Sequence, residues 1–168
     1  MTKASDIMSK LDYFTELGVD KTLKPVPTAH KKITQEEYFK LTLSPGFPQM
    51  PEFAPNQYIY ASLSLDTISV IARHNTPGMF YQAGFILERD IEDGTHELQE
   101  GSGSKARAHF VTPVNFSPIL SGQNGQITLK QNKAEKTIEA TFEYEIIYEG
   151  EVYKVGNGRL FLRATGPV

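Results

Sequence analysis

The side chains best able to do chemistry in this chain are its histidines and its clustered carboxylates, and their spacing brings few of them together. His30, His74, His96 and His109 stand more than ten residues apart, with no His-x-His or His-x-x-x-His pair. A metal site would have to be assembled by the fold, and none is assigned. Glu143 and Glu145 are two apart on one strand and point the same way, roughly 6.5–7 Å apart at the backbone. Paired-carboxylate hydrolysis can use such a separation. Glu139 extends the same stripe, however, and Lys130 and Lys154 fall on neighbouring strands, so charge pairing on a wet face accounts for it. The run Glu88, Asp90, Glu92, Asp93, Glu97 has the hard oxygens that calcium prefers, but with Gly94 at the turn, Arg89 and Ile91 fall where carboxylates belong. Gly101-Ser102-Gly103-Ser104-Lys105 lacks the full phosphate-loop spacing and leads into a strand. There is no Gly-x-Ser-x-Gly elbow, and Asn115-Phe116-Ser117 is a glycosylation sequon by pattern alone. No catalytic residue and no cofactor follow from these patterns.

Four residues remain as binding candidates: Tyr58, Tyr60, His109 and Tyr144. Tyr58 and Tyr60 alternate with Ile59, Ala61, Leu63 and Leu65, so burial of the aliphatic set turns both phenols to the opposite face. Paired there, they offer apolar area and hydrogen-bonding tips to a ligand or a protein. The competing reading, which carries more weight, has them covered by the N-terminal helix or by proline-rich arms. His109 shares a strand face with Arg107 and Val111, opposite Ala108 and Phe110, and is expected at the surface. Tyr144, with His109 and Glu143, is a side chain that the mouth of a barrel could gather.

The elements that must position these residues are mostly strands. Residues 5–18 carry a helix signal, with Ser5 as cap, Ile7, Leu11, Phe14 and Leu17 on one stripe, and Gly18 as the stop. A capping box at Thr34 and Glu37, flanked by Ile33 and Tyr38 as a staple, predicts a second short helix ending at Pro45-Gly46. Six prolines lie between Pro25 and Pro55, in stretches that read as extended arms lying across the domain, because Phe47, Met50 and Phe53 call for burial. From Gln57 the period becomes two. Strands are predicted over 57–65, 67–73, 79–87, 105–112, 126–131, 136–147 and 152–163, with the polar stretch 90–104 as an excursion. Ile138, Ala140, Phe142, Tyr144 and Ile146 share the core face of the longest one. A parity shift at Gly156-Asn157-Gly158 predicts a bulge.

Within this part, Gly125 to Thr128, Ile138 to Phe142 and Asn157 to Leu160 form a strand, a strand and a hairpin return. Across residues 58–163 this order resembles a group of uncharacterised small bacterial β-domains. The resemblance implies a β-fold and carries no catalytic residue. Many members look like exported lipoproteins, whereas no leader or lipid-bearing cysteine is read in this chain.

The expected fold is therefore mainly all-β: an antiparallel sandwich or barrel of about seven strands with one or two short N-terminal helices. Residues 1–56 form a helical and proline-rich segment packed on the β-domain of residues 57–168, a single domain overall. Absence of cysteine excludes disulfides and thiolate chemistry and favours a reducing compartment, hence the cytoplasm. No stretch approaches a membrane span. A net charge of −3 gathers no phosphate backbone, which disfavours nucleic acid. The expected function is a non-enzymatic binding or interaction domain for an unknown protein or small molecule. Alternatives are a small-ligand carrier or enzyme with a site in a barrel mouth, and an inhibitor or immunity-type protein for a basic partner. An uncovered edge strand would allow a homodimer.

Overall fold

Period-two alternation over most of the chain builds strands, and a single hydrogen-bonded sheet collects all of those described. The computed structural model describes residues 13–26, 31–32, 36–44, 53–99, 104–111 and 119–168. The strands are β1 (Lys31–Lys32), β2 (Tyr38–Leu43), β3 (Gln57–Ala61), β4 (Thr67–Thr76), β5 (Met79–Glu88), β6 (Gly94–Leu98), β7 (Ala106–Val111), β8 (Ile119–Asn132), β9 (Thr137–Tyr148) and β10 (Glu151–Arg163). Their order is β1-β3-β4-β5-β7-β6-β8-β9-β10-β2, curled into a half-barrel. Pairing is antiparallel except for the short β6–β7 contact. The protein is all-β, as the alternation predicts. Among the described residues there are nine strands of five residues or more besides the two-residue β1, not about seven, and they form one curled sheet rather than two stacked ones.

The extra strands arise where the local signal pointed elsewhere. The capping-box helix does not form over its described part: Tyr38–Leu43 is a strand on the edge of β10, with Leu43 opposite Val155 and Tyr38 opposite Phe161. Glu37, instead of capping, is buried and accepts a hydrogen bond from the Arg163 backbone N–H at 3.2 Å. Thr34 and Ile33 lie outside the described residues. β6 runs through the polar excursion, where Thr95 faces Thr128 across the ladder. Of the first predicted helix, only residues 13–17 are described as helical, with Ser5, Ile7 and Leu11 outside. That turn closes on Gly18 (φ +69°), where the Gly18 N–H bonds Thr15 O and the Val19 N–H bonds Phe14 O. This is a Schellman end, and glycine meets its left-handed backbone without strain.

Burial is two-sided on half of the sheet. Inside the curl, Phe39, Phe85, Phe110, Phe142 and Tyr144 pack with Ile68, Val70 and Leu160. Outside, residues 13–26 lie over β4, β5 and β7, where Leu17 and Val19 cover Ile86 and Val111. Over the remaining strands only the inner face is dry, and β9 shows the plain alternation, with Thr141 and Glu143 exposed on either side of buried Phe142. The expected bulge is present: the β9–β10 register slips between Val155 and Gly158, and Asn157 takes φ +50°. A Cβ on Gly158 would overlap the Phe142 ring, so the bulge brings backbone where the ring needs room.

The chain leaving β10 turns across to β3. Thr165 N–H bonds Tyr60 O at 2.9 Å, and Ser62 N–H bonds Pro167 O at 2.6 Å. Residues 53–56 pack as an arm. Tyr81 and His74, stacked at 5.1 Å, both bond Ala54, and this holds the Phe53 ring against Phe39 and Phe110. Pro45 to Pro51, Phe47 and Met50 lie outside the described residues.

Candidate functional site

The four sequence candidates are all buried: Tyr58 4%, Tyr60 2%, Tyr144 3% and His109 1% exposed. Tyr58 and Tyr60 do not form an outer surface, and among the described residues no helix covers them. They point into the curl with the main core, while Ile59 and Ala61 pack outward with Ile71 and Leu63. Both faces of β3 are dry, so alternation alone could not say which face was inner, and a wide interior takes the larger rings. Burial, with Asp93 nearby, pushes the Tyr60 phenol up to about 12. Burial raises Tyr58 and Tyr144 as well. Tyr144 packs edge-on against Phe85 and is a core side chain.

His109 does share its face with Arg107 and Val111, but that face is covered, so it is not a surface residue. Beneath residues 13–18 lies a polar nest. Ser69 Oγ donates to Glu16 O at 2.6 Å, Arg73 Nη2 to Gly18 O at 3.2 Å, and Gln82 Nε2 to Leu17 O at 2.8 Å. Gln82 Nε2 also lies 3.2 Å from His109 Nε2. Because the Leu17 carbonyl can only accept, the Gln82 amide presents N–H to His109, whose Nε2 must be the acceptor. His109 is therefore neutral. Burial, reinforced by the charges of Arg73 and Arg107, holds it down to about 3. Burial also lowers Arg73 to about 10. Arg107 pairs with Glu16 at 3.2 Å over the Tyr13 ring. The nest binds the chain's own backbone carbonyls, which makes it a docking device for residues 13–18 rather than a site for a ligand. The sheet separates it from the interior tyrosines, so the four candidates do not form one site.

A different region is open. Against β2, β8, β9 and β10 lies a concave space of about 1140 Å³. Leu41, Leu43, Phe53 and Phe142 also border it, although alternation turns Leu41, Leu43 and Phe142 to the inner face of the sheet, where they pack with Phe53 in the core. The polar wall is ordered by ladder register: Thr128 faces Thr141, Thr141 faces Arg159, and Arg159 faces Lys40. All four side chains are exposed. Thr95, bonded through its hydroxyl to that of Thr128 at 2.8 Å, extends the row. Gln126, Glu143 and Asn157 complete the rim one step along the strands. Among the described lining residues Glu143 is the only carboxylate, and no histidine accompanies it. Local spacing does not point to Lys40 and Arg159: the capping box predicts a helix where Lys40 stands on β2, and Arg159 meets it only through the β2–β10 pairing. The available signal was the alternation of Phe39, Leu41 and Leu43 with Lys40 and Thr42.

Among the described residues no group of three or more acidic or histidine side chains is placed to hold a metal ion, and no helix is long and apolar enough to cross a membrane. His30 lies outside the described residues. Comparison with known proteins gives no match to a family model, a curated protein or a solved structure.

Proposed function

We propose that this chain is a non-enzymatic binding domain whose ligand lies in the trough between β2, β8, β9 and β10. The supporting observation is one concave space bordered by apolar residues and crossed by an ordered row of exposed polar side chains, which can fix and orient a small molecule. Its volume of about 1140 Å³ slightly exceeds the usual run of ligand pockets, roughly 300–1,000 Å³. Binding without turnover fits the lining, where Glu143 has neither a second carboxylate nor a histidine to share acid and base roles. A cysteine-free chain suits a reducing compartment, and a cytoplasmic location goes with this reading.

The test is a small-molecule screen by amide-resolved NMR on the full chain, repeated on Thr141→Trp, whose indole would fill the trough from an exposed position. Binders should shift the amides of Leu41, Thr128, Thr141 and Arg159 and lose affinity in the variant. Binders that map elsewhere and ignore Thr141→Trp would overturn the proposal.

A further inference from the structure

We infer that the ligand carries a phosphoryl group, held by Lys40 and Arg159 with the hydroxyls of Thr141 and Thr128; this rests on the trough reading. Lys40 and Arg159 sit directly opposite each other on neighbouring strands. Like charges so placed destabilise a sheet. Among the described residues neither forms an ion pair; the two salt bridges present belong to Arg107 and Arg163. Among the described residues the Lys40 ammonium lies over the Tyr38 ring, 5.9 Å from its centroid. In a chain of net charge −3, two adjacent cations that form no ion pair among the described residues, inside its concave space, are a feature that an anion would complete.

The donor set narrows the anion. Arg159 offers a planar fork suited to two oxygens of one phosphate. Lys40 adds a point charge from the next strand. Thr141 and Thr128 add hydroxyls in the same cross-strand row, the latter already oriented by Thr95. Donors arriving from several strands suit a tetrahedral group with several acceptor oxygens better than a planar carboxylate. Glu143, Gln126 and Asn157 on the adjoining rim would accept from and donate to hydroxyls on the rest of the molecule. The class is a small phosphorylated compound with a hydroxylated body.

The test uses pyrophosphate as the anion probe and the uncharged binders from the small-molecule trough screen as the second arm, on wild type, Lys40→Gln and Arg159→Gln. Both substitutions are at exposed positions. Pyrophosphate should shift the amides of Lys40, Thr128, Thr141 and Arg159, and each variant should weaken it at least about tenfold, as loss of a charge-assisted hydrogen bond does. At low salt both variants should melt above wild type, because the repulsion is gone, and pyrophosphate should close the gap by raising wild type alone. Sodium chloride at matched ionic strength should not reproduce the shifts. If chloride does as much as pyrophosphate, or if the variants bind it as wild type does, the phosphoryl inference falls. Neutral binders still mapping to the trough would leave the binding proposal standing, and their absence as well would remove both.

Discussion

Acidification should unfasten the nest beneath residues 13–18 through one side chain. His109 is held at about 3 in the folded chain against roughly 6.5 unfolded. Below pH 6.5 the unfolded chain therefore binds a proton that the folded chain refuses, and stability falls as pH falls. At about 1.36 kcal/mol per pH unit, the full window from 6.5 to 3 costs about 4–5 kcal/mol, a large share of a typical total of about 5–15 kcal/mol. Between pH 6.5 and 5, before most carboxylates titrate, the loss integrates to about 1.7 kcal/mol. Local chemistry gives the same sign. A protonated Nε2 would aim its hydrogen at the Gln82 N–H, which is oriented by Leu17 O, and would add charge beside Arg73 and Arg107. Urea melts of wild type and His109→Gln at half-unit intervals isolate the effect, since the variant keeps every other titrating group. Wild type should lose stability more steeply than His109→Gln across this interval. Parallel profiles would show that His109 is not held neutral and dry, and the account of the nest would fail with it.

Phe142→Ala should cost about 3–5 kcal/mol by emptying space beside Phe39, Phe85 and Tyr144, while Thr141→Ala, exposed on the opposite face, should cost under ~1 kcal/mol; urea melts that reverse this order would overturn the register of β9. Gly158→Ala should destabilise by about 1–3 kcal/mol, because its Cβ overlaps the Phe142 ring and comes 2.6 Å from Phe142 O. Gly156→Ala, whose nearest contact would be Thr42 Oγ1 at 3.7 Å, is the control and should melt near wild type. Equal melting of the two glycine variants would contradict the packing assigned to the bulge.

By itself the sequence determined the β-character, the alternation of β9, the stop at Gly18 and the bulge at Gly156–Gly158. Each depends on neighbours close along the chain: side-chain period in a strand, the left-handed backbone that glycine permits, and a parity shift within one strand. Tertiary structure decided the rest. Tyr38–Leu43 became a strand because β10 offered it a ladder, which outweighed a local capping box. Tyr58, Tyr60 and His109 changed surroundings because residues 13–26 dry the outer face of β4, β5 and β7, while Ile59 and Ala61 pack outward from β3. Alternation separates two faces but does not say which is wet once both are covered. Lys40 and Arg159, more than a hundred residues apart, meet only because the curled sheet sets β2 against β10. Such a pairing depends on strand order, which no local pattern encodes.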